Sequence, residues 1–212
     1  MGRQGDKARE ALMDAAEELF AQHGIDAVSN RRITEHAGTA NHSAIKYHFG
    51  GRDELLRALI DRALAGMHAA QRDLPPLQAS SRLREAVMLH VLPWVYHFGS
   101  LPAPAWRAQF LFKVRGYPDL PAIVAESVAE GIMAESLRDQ VRSELEGIPE
   151  QVLKARAGIL GQLLLGLCSE YERQHGEGAS RGSWESVGYF LVDSIVGMLG
   201  APSTSPADFL ST

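Results

Sequence analysis

Lys46, Tyr47 and His48 stand side by side in the stretch NHSAIKYHFGGRDEL, residues 41–55, where Ile45 and Phe49 supply the apolar anchors before a glycine pair. An ammonium, a phenol and an imidazole in succession suit either proton transfer or the binding of a polar ligand. Catalysis needs a partner for the imidazole at a spacing that brings the two together. His36, His42 and His48 recur every six residues, which does not put them on one helical face. No His-x-x-x-His pair and no Gly-rich phosphate loop occurs anywhere in the chain. The expectation is therefore a protein that is not an enzyme and needs no cofactor and no metal. An all-α enzyme stays a remote alternative.

The elements that must carry these residues are helical. The chain has 212 residues, 45% hydrophobic and 22% charged, enough to bury a core without disulfides. Its single cysteine, Cys168, lies in the apolar run LLLGLCSEY and can make no bridge within the chain, which suits a reducing cytoplasm. The first ten residues are charged, and GILGQLLLGLC is too short and too interrupted by Gln162 to span a bilayer, so no membrane partner is expected. Net charge is −5, and residues 1–57 carry 8 Lys+Arg against 9 Asp+Glu, so any nucleic-acid contact must rest on local placement of charge.

In residues 7–23, Ala8, Leu12, Ala15, Ala16, Leu19 and Phe20 share one face of a helix that Gly24 ends. Ser29 or Asn30 can cap a second helix, RRITEHA, which stops at Gly38. The 41–49 stretch makes a third short helix, and a fourth, beginning Arg52-Asp53-Glu54, has acidic groups in its first turn where the helix dipole favours them. After the break DLPPLQASS the segments become longer and more apolar, at about 82–98, 103–115, 121–146, 149–175 and 183–199. The predicted organisation is all-α. A three-helix helix-turn-helix domain occupies 1–51, a connecting helix 52–72, a larger ligand-binding and dimerisation domain 73–200, and a mobile tail 201–212.

Helix, Gly-containing turn and short polar helix form the helix-turn-helix pattern. With Ile45 and Phe49 turned inward at i,i+4, His42, Ser43, Lys46 and Tyr47 must turn outward. Such a face either meets water or enters a major groove. In a groove, Lys46 can reach guanine acceptors and Asn41 or Ser43 either base type, while Tyr47, His48, Asn30 and Arg52 suit phosphates.

The stretch RRITEHAGTANHSAIKYHFGGRDELL resembles the DNA-binding signature of the tetracycline-repressor (TetR) family of bacterial regulators. The resemblance lies in Ile33, Ala37-Gly38, Ala44-Ile45, Tyr47-His48-Phe49 and Arg52-Asp53-Glu54-Leu55, with AAEELFAQHGIDAVSNRRI before them. It covers about residues 8–60. One departure stands out: six residues, TANHSA, separate Gly38 from Ile45, one more than is usual in the family. Placing the extra residue in the turn makes Asn41 the cap of the third helix. Counted back from Phe49, the resemblance then implies base-facing positions at His42, Ser43, Ala44 and Lys46, with Arg31 reaching in from helix two. It implies backbone positions at Tyr47, His48 and Arg52. Arg3, Lys7 and Arg9 either add phosphate contacts or form a solvated basic start.

One such module buries too little surface for an operator, so a homodimer on a palindromic site in double-stranded DNA is expected. Ile159, Leu163, Leu164, Leu167 and Tyr171 of one segment, with Val187, Phe190, Leu191, Ile195 and Leu199 of another, form either an association surface or an internal core. The resemblance implies the former, as a four-helix bundle across the dimer axis. Trp94, His97, Phe98, Trp106 and Phe110 are candidates for a mostly apolar ligand pocket or for plain core, and the resemblance implies an inducer cavity in this body. The resulting expectation is a cytoplasmic, ligand-responsive transcriptional repressor. A DNA-binding regulator without a small-molecule ligand is the alternative.

Overall fold

The computed structural model describes residues 3–117 and 141–204. Most of the helix expected over 121–146, and residues 205–212 of the tail, lie outside the described residues. The described residues form eight α-helices and one short 3-10 helix, with no strand among them. The helices are α1 (Arg3–His23), α2 (Asn30–His36), α3 (Ala44–Phe49), α4 (Arg52–Arg72), α5 (Arg82–Gly99), α6 (Arg107–Val114), α7 (Glu150–Gly176) and α8 (Trp184–Gly200). The 3-10 helix, Arg142–Leu145, precedes α7.

Three short helices hold together because α1 lends them its apolar face. Leu12, Ala16, Leu19 and Phe20 are buried along α1, and Ile25, Val28, Ile33, Ala44 and Ile45 close on them. Gly24 and Gly38 end the first two helices at φ of 83° and 69°, a left-handed conformation that residues with a Cβ resist. The Ser29 hydroxyl caps α2 by accepting from the Arg32 N–H at 3.2 Å, which settles the choice between Ser29 and Asn30.

Below this module α4 buries Leu55, Leu56, Leu59, Ile60, Ala63, Leu64 and Met67 on one side. α5 runs through Pro93 without interruption, and Pro93 itself is buried. The start of α5 is fixed from far along the chain, because the Glu144 carboxylate accepts from the N–H groups of Arg82 (2.7 Å) and Leu83 (3.3 Å). α8 lies closely on α5, and α7 on α6. At Gly188 an added Cβ would stand 3.0 Å from Leu92, so this glycine allows α8 its approach within the chain. The apolar core is continuous from Leu12 to Leu199 and includes Phe20 stacked on Phe110, with ring centroids 6.2 Å apart.

Candidate nucleic-acid interface and the surfaces behind it

α3 is two-faced. Ala44 and Ile45 are buried, Phe49 is half-buried, and Lys46 and Tyr47 are exposed, Tyr47 by 75%. The Arg9 guanidinium lies over the Phe49 ring, 4.8 Å from its centroid, so Arg9 covers the helix's inner edge. Lys7 is exposed, and the side chain of Arg3 lies outside those described. Tyr47 meets His48 edge to face at 4.9 Å, while the half-buried His48 has a sequestered Nδ1 with no hydrogen-bond partner in the described residues.

The turn before α3 accommodates the additional residue in a specific way. The Asn41 side-chain oxygen accepts from the Ser43 N–H at 3.0 Å, and the Thr39 hydroxyl accepts from the Asn41 N–H at 3.3 Å. Ser43, not Asn41, is the residue that precedes the helix, and it makes no side-chain cap. Asn41 therefore stiffens the turn, and His42 and Ser43 are exposed turn residues, not first-turn helix residues. Ala44 also departs from the base-facing expectation. Helix α3 begins at Ala44, and the two residues that open it form the buried seam.

Asn30 and Arg52 depart from expectation too. The Arg52 guanidinium donates to Asn30 Oδ1 at 3.1 Å and to the carbonyl of Ile25, and it lies over the Phe20 ring at 4.9 Å. These contacts make Arg52 an internal tie between α4 and the loop before α2, with Asn30 as its acceptor. Arg31 is exposed and pairs with Glu35 at 2.7 Å one turn on, and this neighbour holds the Glu35 carboxyl below its ordinary range. Arg32 to His23 (2.7 Å) and His36 to Glu18 (2.9 Å) tie α2 to α1.

A buried polar cluster that no local spacing in the sequence brings together joins this module to the rest. Glu17 of α1 accepts from Arg107 Nε of α6 at 2.8 and 2.9 Å and from Arg62 Nη2 of α4 at 2.6 Å. Arg107 Nη1 reaches His97 Nε2 of α5 at 3.2 Å. A guanidinium can only donate, so His97 Nε2 accepts and the ring proton resides on Nδ1. Burial, then the charges of Arg107 and Arg62, push the His97 imidazole down to about 4. The signal was present in the pattern: Glu17 sits one turn from Met13 and Phe20, inside a buried stripe where a lone carboxylate is not tolerated.

Residues 12–59 match the family model described as Bacterial regulatory proteins, tetR family. This stretch is similar to the N-terminal domain of the tetR family of bacterial regulatory proteins. The N-terminal module is accordingly the DNA-binding part of a transcription regulator. No curated protein matches the chain. Among solved structures it is similar to Mycobacterium smegmatis BioQ, at 19% identity, covering 96% of this chain and 100% of that one, with a TM-score of 0.44.

In the body of this regulator the expected pocket residues part company. Trp94 borders a half-open cleft of about 40 Å³ with Ala86, His90, Leu160, Leu164 and Ile195. His97 belongs to the polar cluster, Phe110 is fully buried against Phe20, and Phe98 packs on Trp94 and Trp184. Trp106, half-buried, immediately precedes α6. None of these four lines the cleft: His97 faces Arg107 of α6, Phe98 lies against Trp184 of α8, and Phe110 against Phe20 of α1. His90, which also lines the cleft, is bonded through Nδ1 to the Ala86 carbonyl at 2.8 Å.

The expected association residues also divide. Leu164, Tyr171, Leu191, Ile195 and Leu199 are buried inside the single chain, a correction to their reading as surface. Ile159, Leu163 and Phe190 are exposed by 43%, 40% and 62%, and Leu167 and Val187 are half-buried. Neighbouring residues on a helix are about 100° apart, so Leu163 and Leu164 cannot share a face. The inner stripe of α7 runs Leu160, Leu164, Cys168 and Glu172, each four residues on. Burial raises the Cys168 thiol well above its ordinary range, consistent with an inert side chain. Glu172 accepts from the N–H groups of Ala108 (3.1 Å) and Gln109 (3.0 Å), capping α6, and so makes no catalytic or metal pair with the exposed His175 three residues later. Among the described residues no group of three or more His, Cys, Asp or Glu is placed to hold a metal.

Proposed function

We propose that the chain is a dimeric, cytoplasmic repressor that reads a palindromic operator with α3 of both protomers and is released by a small, largely apolar ligand. In this reading residues 1–51 bind DNA, 52–72 connect, and 73–200 hold ligand and partner, with a tail over 201–212. The two-faced α3 carries the reading: an apolar inner side fixes it, and the exposed Lys46 and Tyr47 are left for DNA. Lys46 is assigned to a base edge and Tyr47 and His48 to phosphates, with Arg31, His42, Ser43 and the backbone at Asn41 beside them.

The exposed side of α7 and α8 supports the dimer. Ile159, Leu163 and Phe190 are apolar and uncovered, and Gly158 and Gly197 have open space in front of them, which allows a second helix close approach. By length and composition α7 could cross a membrane, contrary to the expectation from its central run alone. We assign its exposed side to a second copy because its other side is packed on α6 and carries the buried Glu172.

The cleft beside Trp94 is the candidate ligand site. At about 40 Å³ it has room for only a few waters and must open to take a ligand of ordinary size, since such sites run to roughly 300–1,000 Å³. Its small volume keeps a second reading in play, a DNA-binding regulator with no small-molecule ligand. Selection of bound genomic fragments, followed by titration of the selected DNA, tests the first part: enrichment of one palindromic sequence is expected, and uniform recovery contradicts it. A thermal-shift screen of lipophilic compounds coupled to DNA release tests the second. Compounds that raise the midpoint and release DNA support the inducer, and no such compound favours the ligand-free reading.

A further inference from the structure

Four helices meet at Glu17, Arg62, Arg107 and His97, and they come from both sides of the boundary between the DNA-binding module and the body. Glu17 and Arg107 are each 6% exposed. Buried ion pairs add little net stability, but separating one leaves two uncompensated charges away from water. Such a contact therefore resists tilting far more than it resists unfolding.

Each member is held on its own side. Arg62 also donates to Asp14 at 2.6 Å and to Glu10 at 3.4 Å, so α4 grips three carboxylates spaced along α1. Arg107 is the first residue of α6, and the next two backbone N–H groups are fixed by Glu172 of α7. His97 lies against Gly66, where an added Cβ would stand only 2.0 Å from the imidazole Cε1, so α4 and α5 approach too closely there for any side chain on Gly66. His97 also stands one turn beyond Trp94, which borders the cleft. A continuous set of packed groups thus runs from the cleft and α7 to α1.

We propose that the Glu17–Arg62–Arg107–His97 cluster is the joint that sets the angle of the DNA-binding module on the body, with Glu17 and Arg107 as positioning residues for operator binding. They touch no DNA and act through the orientation of α1. The assignment to operator binding rests on the function proposed above, whereas the joint itself does not.

Spin labels at Asp26→Cys on the module and Glu185→Cys on the body read the joint without DNA. The distance distribution is expected to be narrow in the otherwise native chain and to broaden or shift in Glu17→Gln and Arg107→Gln. The same variants are expected to bind a selected operator about tenfold more weakly and to tolerate a one-base-pair change in half-site spacing that the native protein rejects. Arg107→Lys keeps the charge but loses the planar fork. It is the variant to use should the Gln substitutions fail to fold, and it too is expected to broaden the distribution. Variants that unfold cooperatively yet keep the native distance distribution overturn the joint. A broadened distribution with no operator recovered for the native protein upholds the joint and refutes the operator reading.

Discussion

α3 and α7 each leave one face without a neighbour among the described residues, and the two faces are chemical opposites. α3 has six residues, a buried Ala44-Ile45 edge and an outward Lys46 and Tyr47. α7 has 27 residues, a buried stripe ending in Glu172 and an outward Ile159 and Leu163. Polar groups uncovered on a short helix lose nothing in water, so they signal a ligand only in combination with the helix-turn-helix geometry. Apolar groups uncovered along a long helix are costly in water, at about 25 cal/mol per Å², and signal a cover. In the proposed function the first face is filled from time to time by DNA and the second stays filled by a second copy.

Ile45→Ala strikes the inner side of α3 and has the largest expected effect. It should lower unfolding stability by about 2–5 kcal/mol in denaturant titration, as truncation of a fully buried Ile does. A loss under about 1 kcal/mol would mean that α3 is not held by its apolar edge. On the opposite helix, Leu163→Asp places a charge on the uncovered side of α7. Light scattering should then show the dimer weakened by about 2 kcal/mol or more with the fold retained, whereas an unchanged mass at micromolar concentration would break the contrast between the two helices.

The joint between the two regions gives a smaller, pH-dependent effect. His97 faces Arg107 from α6 and Arg62 from α4, with Glu17 of α1 bound to both. In the unfolded chain an imidazole takes up its proton near pH 6.5, but in the folded chain His97 stays neutral down to about 4. Between these values the unfolded state binds more protons, so this contribution to stability is complete above the upper value and declines as pH falls toward the lower one. Thermal midpoints from pH 7 to pH 4 should fall more steeply in the native chain than in His97→Gln. Parallel curves would remove His97 from the joint.

The part of this picture that was legible in the sequence is the part set by near neighbours. Gly24, Gly38, the Ser29 cap and the Ile45/Phe49 spacing are local signals, and they place α1 to α4 within a few residues. Local patterning failed wherever a distant partner decides. Arg52 reads as a free cation until Asn30 and Ile25 come into reach, and Ala44, base-facing by the resemblance alone, opens α3 on its buried side. Leu164 and Ile195 have the same composition signal as Leu163 and Phe190, and only the positions of α5 and α6 determine which are covered. The joint is the extreme case, because Glu17 and Arg107 are 90 residues apart in sequence. Its single trace was a carboxylate on a buried stripe.

The outward face of α3 is tested most directly by a mobility-shift titration of the native protein and Lys46→Ala on selected operator and scrambled DNA. The expected result is a loss of about 1–3 kcal/mol on the operator, little change on scrambled DNA, and unfolding stability unaltered. Equal affinity of the two proteins for the operator, or an equal loss on both DNAs, would contradict the assignment of this face to base reading.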